Sequence, residues 1–364
     1  MKKNIKVISI LLALVMVFTA CRSNKNTMIK GYKKYNDAFF DTFDTEVKLE
    51  IHAKSDEEFE KYKEIVRSDF ERYHGLFNTF EDYKEPNLKT INDNAGKEPV
   101  KVSEEIMDLL EYSLDLTSKY GDKTNIGFGS VLKIWHKYME EGKDNPEKAS
   151  LPDMKELEAA KKHTSLSNLV LDEENSTVFI KDEKMQLDVG AIAKGYAAEK
   201  AINHIESAGC ESAIISAGGN IKTLGKPMIK GREKWGIGLE NPDFRREEGQ
   251  DQILDVVYGT DISVVTSGDY QRFYTVDGKN YHHIIDPETL MPADYFKDVT
   301  VITKDSGFAD FLSTTVFLMP LDEGKKFIES LDGVEAMWVD KNKNIIYTDG
   351  MKPYLKSEGA TSDK

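Results

Sequence analysis

In the segment "SGFADFLSTTVFLM", Asp310 is followed four residues later by Thr314, with Ser313 beside it. Four residues make about one helical turn, so on a helix the carboxylate and the hydroxyl share a face. Two hard oxygens so placed suit Mg²⁺ or Ca²⁺ and serve zinc poorly. The same residues also admit a structural role, with Asp310 favouring a helix N-terminus and Thr314 bonding back to a carbonyl. The segment by itself leaves both open.

A second stretch, "DVGAIAKGYAAEKA" at 188–201, puts Asp188, Gly190, Lys194 and Gly195 where an alanine-rich helix begins. Free N–H groups, a lysine and an acid make such a start hospitable to an anion or a metal. It lacks G-x-G-x-x-G and G-K-[ST], which excludes a dinucleotide fingerprint and a P-loop. No G-x-S-x-G elbow occurs either. In "VTSGDYQRFYTVDGKNYHHIIDP", Gly268 follows two hydroxyl residues, and Asp286-Pro287 marks a turn. His282 and His283 point to opposite faces of a strand, so one of them can serve a site as general acid or base. No cysteine or histidine pairs stand at zinc-ligand spacing. The "SAGGN" turn at 216–220 allows close backbone approach and equally an ordinary tight hairpin.

Several elements must position these residues. "DTEVKLEIHA" alternates as a first strand through Val47, Leu49 and Ile51. The spacing of Phe59, Tyr62, Val66, Phe70 and Tyr73 predicts a helix, and Ser103 with two acids opens another that closes on Gly121. Further helices are expected in "GSVLKIWHKYMEEG" and after Pro152, and strands at "NLVLD", "TVFIKD", "WGIGLE", "ILDVVYG", "ISVVTSGDY", "RFYTVDG" and "YHHIIDP". The chain should close with a strand and buried helix across 298–319 and a hairpin in "EAMWVDKNKNIIYTD". No internal repeat is present. Strands outnumber helices in the second half without β-α alternation, which favours α+β over a doubly wound sheet.

The 364 residues carry 49 basic and 64 acidic side chains, a net charge of −15. That balance excludes nucleic acid and anionic membrane surfaces as general partners. Lys2, Lys3 and Lys6 precede an apolar run ending at Thr19-Ala20-Cys21, the shape of a lipoprotein signal. The expected organisation is a signal peptide at 1–20, a lipidated Cys21 with a tether to residue 38, a domain over 39–350 and a polar tail at 351–364. The protein is then extracytoplasmic and lipid-anchored to the bacterial cell membrane. Lipidation of Cys21 leaves Cys210 alone, with no intrachain disulfide.

Taken in order, "LDVGAIAKGYA" at 187–197, "SAGGNI" at 216–221, "TSGDYQRFY" to "HHIIDPETLMPA" at 266–293 and "ADFLSTTVF" at 309–317 resemble the ApbE family of FAD:protein FMN transferases. "NLKTINDNAG" and "NIGFGSVLKIWH" resemble it as well, so the likeness runs from about Phe39 to Tyr347. It implies an α+β fold with mixed or antiparallel sheets and packed helices, an ApbE-like, T-fold-related architecture. It implies FAD as substrate, Mg²⁺ as cofactor, and transfer of FMN to a Thr or Ser hydroxyl of an acceptor protein, with AMP leaving. The acceptor expected is an extracytoplasmic redox protein. By the resemblance, the Ala191 carbonyl, Asp310 and Thr314 hold Mg²⁺, with Ser313 able to assist. Asp188, Lys194 and Ile285 fall on FAD-contact positions, and Phe43, Phe80, Lys123, Thr124 and Asn125 match such positions more loosely. His283 falls on the histidine implicated in catalysis. Phe43-Asp44-Thr45 stands where the family has Met-Gly-Thr. Two alternatives share the site: an Mg²⁺-dependent FAD pyrophosphatase giving FMN and AMP, and a non-catalytic flavin-binding lipoprotein.

Overall fold

A computed structural model describes residues 27–244 and 249–363; the signal peptide and Cys21 lie outside the described residues. Strands β1 (Lys33–Thr42) and β2 (Thr45–Ala53) form a hairpin followed by α1 (Asp56–Phe77). Next come α2 (Leu88–Asp93), β3 (Val100–Lys101), α3 (Glu104–Tyr120), α4 (Gly129–Asp144) and α5 (Met154–Lys161). Strands β4 (Leu169–Asp172) and β5 (Thr177–Ile180) lead to α6 (Ala193–Ser207). Five strands follow: β6 (Ala213–Ala217), β7 (Asn220–Leu224), β8 (Trp235–Glu240), β9 (Ile253–Gly259) and β10 (Ser263–Gly268). The hairpin of β11 (Phe273–Val276) and β12 (Lys279–His282) precedes β13 (Phe296–Thr303), α7 (Ser306–Phe317) and α8 (Leu321–Glu329). Strands β14 (Glu335–Asp340) and β15 (Ile345–Tyr347) complete the set.

Eight strands form one sheet in the order β1-β2-β6-β7-β10-β13-β14-β15. Its ladders are all antiparallel. Alternation sorts the side chains to two faces. Val265, Val299, Val301 and Trp338 pack with Ala309, Phe311 and Leu312 of α7, forming the main core. Val264, Ile302 and Met337 turn the other way and are covered by Trp235, Ile237 and Val257 of the β8–β9 hairpin. Helices α1 and α6 cover the β2–β6 end of the first face. A smaller lobe packs α4, through Trp135 and Met139, against Tyr274, Val276, Ile285 and Leu290. The site-bearing helix α7 starts where its sequence says it should: Asp305 accepts from Phe308 N at 2.7 Å.

The folded region extends past both expected limits. Strand β1 begins at Lys33, inside the expected tether, and even Thr27 O accepts a hydrogen bond from Lys230 N. This edge strand shows charged residues to solvent, so it lacks the apolar alternation that marks β2. At the other end, Met351 and Leu355 are buried in the core beneath the β8–β9 hairpin. Ser362 O accepts from Glu233 N and Lys234 N, so the expected polar tail is a packed strap. No helix of the described residues is long and apolar enough to cross a membrane.

One buried charge stands out on the far face. Asp298, 2% exposed, lies opposite Gly268 in the β10–β13 register, and its Oδ1 has no hydrogen-bond partner. Burial pushes its carboxyl pKa well up, reinforced by Asp269, Glu240 and Asp243 and opposed by Lys297. A carboxyl protonated in the folded state and ionised in the unfolded chain costs stability as pH rises from about 4, the ordinary Asp pKa. Asp298→Asn is therefore expected to stabilise the fold by about 1–3 kcal/mol near neutral pH. Urea denaturation near pH 8 and near pH 5 checks this: the gain should grow with pH, and an equal loss at both refutes it.

Candidate active site

The first face of the sheet brings the amino end of α6 against the middle of α7. Gly195 N does not complete a helical turn but donates to Asp310 Oδ2 at 2.9 Å. A side chain at Gly195 would sit 2.1 Å from Ser306 O, so only glycine lets the two helices approach this closely. The ladder of α6 begins with Ile192 O as acceptor, and among the described residues nothing donates to the Ala191 carbonyl one residue earlier. Asp310 is 3% exposed, and burial raises its carboxyl pKa, against the pull of Lys194 and the Gly195 N–H. Lys194 Nζ lies 3.3 Å from Gly190 O and 3.8 Å from Asp310 Oδ2. Thr314 projects one turn on from Asp310 and meets Ser267 Oγ at 3.3 Å.

The residues present fit a hard cation. The buried Asn220 Oδ1, on the strand facing α6 and α7, has no hydrogen-bond partner. A free carbonyl, a carboxylate, a hydroxyl and an orphaned amide oxygen form an all-oxygen donor set of the kind Mg²⁺ takes. Ser313 belongs to the support of this set. It is fully buried, donates to Asp310 O at 3.0 Å and bonds Ser267 Oγ at 2.8 Å. Asn220 and Ser267 escaped the sequence reading, although the Gly-Gly-Asn turn and the hydroxyl pair before Gly268 carried their signal. Gly218 and Gly219, at φ 54° and 94°, make that turn, and Gly218 has no room for a side chain against Thr45.

His283 emerges just past β12, so the two histidines separate as alternation demands. His282 is buried, donating Nε2–H to Ala293 O at 2.7 Å and accepting from Ile284 N through Nδ1. It is a structural residue. His283 is exposed, and its Nδ1 faces Arg272 O at 3.2 Å. A carbonyl can only accept, so Nδ1 carries the proton and Nε2 keeps its lone pair. Crowding by protein atoms lowers the His283 pKa, with Arg272, His282 and Lys194 adding positive charge. Solvent at the exposed edge of the ring moderates that lowering. Asp188 accepts from Gly190 N at 2.8 Å; burial raises its pKa, while His136, Lys194 and Arg272 pull it down. Lys194 is thus the common electrostatic neighbour of Asp188, Asp310 and His283.

The looser flavin positions divide. Phe80 is 50% exposed and stacks on His136 at 4.3 Å, an open aromatic surface close to Asp188. Phe43 and Asp44 both adopt left-handed backbone, φ 52° and 51°, and the Arg272 guanidinium donates to Phe43 O at 2.9 Å. Asp is among the non-glycine residues that tolerate this region, so Asp44 can replace the family's glycine. Lys123 pairs with Glu288 at 2.6 Å. Thr124 is buried against Thr315, while Asn125 bonds Gly127 N and Thr164 O. Both side chains build the loop. Ile285 is buried in the small lobe, leaving its backbone as the part able to meet a ligand.

A model of the ApbE family matches residues 43–338. An FAD:protein FMN transferase of Klebsiella pneumoniae (strain 342) is 33% identical over 267 residues, 72% of this chain and 77% of that one. Its counterpart in Treponema pallidum (strain Nichols) is 33% identical over 270 residues, covering 71% and 72%. The crystal structure of an ApbE protein from Thermotoga maritima superposes with a TM-score of 0.76 at 29% identity, covering 88% of this chain and 99% of that one. With the fold, the ordered motifs and the matched length in agreement, the chain belongs to the ApbE family.

Proposed function

We propose that this protein is an FAD:protein FMN transferase that moves the FMN half of FAD onto a threonine or serine hydroxyl of another protein. The observation that carries the reading is the convergence on Lys194 of Asp188, Asp310 and His283, beside the unused Ala191 carbonyl. Mg²⁺ held by Ala191 O, Asp310 and Thr314 would supply charge neutralisation at the pyrophosphate. Lys194, Arg272 and the N–H groups opening α6 draw the phosphates into a protein that is otherwise strongly acidic. The acceptor hydroxyl attacks the FMN phosphorus, a new O–P bond forms, and the bond to AMP breaks with its electron pair leaving on AMP. His283 Nε2, unprotonated on an exposed ring, takes the hydroxyl proton, which assigns it as general base. The stacked Phe80–His136 pair offers an aromatic face to a ring of FAD.

The Cys21 lipid anchor places this chemistry outside the cytoplasmic membrane, with an extracytoplasmic redox protein as acceptor. Covalent attachment there keeps a cofactor from diffusing away. The test combines the protein, FAD, Mg²⁺ and a candidate acceptor domain, read by mass spectrometry. An FMN-sized adduct on the acceptor is expected, together with AMP. Free FMN and AMP without adduct would make the protein a pyrophosphatase, and intact FAD a binder.

A further inference from the structure

The residues of the proposed transfer centre come from two bodies. Asn220 opens β7 of the eight-stranded sheet, and Asp310 and Thr314 ride on α7, which packs on that sheet. His283 follows β12 instead. The β11–β12 hairpin is a separate two-stranded sheet, and its Tyr274 and Val276 pack into the small lobe with Trp135 and Met139. The separation of base and metal donors is therefore set by whatever ties this hairpin to the main sheet. On the buried side the tie is packing: the His282 ring meets Phe317 of α7 edge-on at 5.6 Å. On the exposed side it is Arg272, just before β11, whose Nη2 donates to Phe43 O at 2.9 Å.

The anchor point is strained. Phe43 and Asp44 are the central residues of the β1–β2 turn, closed by the Thr42–Thr45 pair, and both have left-handed backbone. A bulky aromatic residue stays in that region only where its surroundings over-determine it. Three contacts do so here. Phe43 N donates to His74 Nδ1 at 3.1 Å, the ring lies edge-on to Phe70 and His74, and Phe43 O accepts from Arg272. The same turn braces the metal side. A side chain at Gly218 would sit 2.2 Å from Thr45 Oγ1, and Gly218 N donates to Glu46 O at 3.3 Å, two residues before Asn220. At its other end Arg272 meets the base: its carbonyl faces both His283 N and His283 Nδ1 at 3.2 Å.

We propose that Arg272 is a positioning residue: its guanidinium pins the left-handed Phe43–Asp44 turn while its carbonyl holds the His283 ring, so that base and metal donors keep a fixed separation. The proposal rests on the transfer reading and gives Arg272 a task that charge alone does not fill. Drawing phosphates inward needs only a positive charge. Bridging the hairpin to the turn needs the full reach of the guanidinium.

Arg272→Lys separates the two tasks, because lysine keeps the charge but ends one bond, about 1.3 Å, short of Nη2. Its kcat for FMN transfer should fall about tenfold or more, with KM for FAD within about twofold and the melting temperature unchanged. A small misplacement of a reacting group is felt in the chemical step rather than in binding. Arg272→Met loses charge and reach together, so it should add a rise in KM to the same fall in kcat. Parental kcat in Arg272→Lys overturns the inference, as does a loss confined to KM in both variants. A second readout needs neither FAD nor turnover. NMR of the full-length protein with ¹⁵N-labelled histidine should show His283 as the Nδ1–H tautomer in the parent and as a mixture of tautomers in both variants. An unchanged tautomer in both refutes the role of Arg272 whether or not the parent transfers FMN. A parent that forms no adduct on any acceptor refutes the transfer reading instead.

Discussion

Asp310→Asn is expected to abolish divalent-dependent FMN transfer, with a loss of at least about a hundredfold, while leaving the fold intact. The substitution keeps the side-chain shape and can still accept from Gly195 N, so α6 and α7 stay in contact. It removes the only negative charge in the proposed donor set, and hard cations are held chiefly by such charge. Thermal unfolding gives a readout independent of turnover. Mg²⁺ should raise the melting temperature of the parent protein, because a ligand that binds only the native state stabilises it. The variant should show no Mg²⁺-dependent shift. Its metal-free form should melt at or above the parent's, since a buried carboxylate whose pKa is raised is a cost relieved by the amide. A variant that transfers FMN at the parental rate in EDTA would sink the metal assignment.

His283→Ala is expected to lower kcat by about 10²- to 10⁴-fold, the usual contribution of a positioned base, with little change in KM for FAD. The bond from Nδ1 to Arg272 O orients the ring without contributing to substrate binding, so the loss should fall on the chemical step. The pH profile carries a further expectation. A base works when unprotonated, and the His283 pKa is lowered by its surroundings and by the charges of Arg272, His282 and Lys194. The acid limb of kcat/KM, which reports the free enzyme, should therefore lie below the ordinary histidine value of about 6.5. Initial rates at saturating and at limiting FAD across this pH range measure kcat and kcat/KM. An unchanged rate in His283→Ala would reassign the base.

The residues of the proposed metal site drew notice because their signals are local. Asp310 and Thr314 stand one helical turn apart, a spacing that left a structural role open, and the Gly190–Gly195 stretch lies at a helix mouth. What each oxygen does was not legible, because the partners come from distant strands. Ser313 and Thr124 resemble possible ligands in sequence, and tertiary contacts with Ser267 and Thr315 turn both inward. Asn220 had the opposite history: its turn looked ordinary until α7 packed over it and left one amide oxygen bare. Strand β1 was hidden for another reason. An edge strand with one half-covered face has no strong period-two signal, so its lysines and aspartates read as a linker. The tail was misread through composition, since only Met351 and Leu355, with Tyr354 beside them, carry its packing among polar neighbours.

The described chain is packed from its first residues, which bears on the lipid anchor proposed above. Thr27 is already hydrogen-bonded to Lys230, and Met28 bridges to Ile229. If Cys21 carries the proposed lipid, six peptide steps of at most about 3.6 Å each would hold Thr27 within roughly 20 Å of the bilayer surface. A protein so anchored would search for partners in two dimensions, and the acceptors within its reach would be those held at the same membrane.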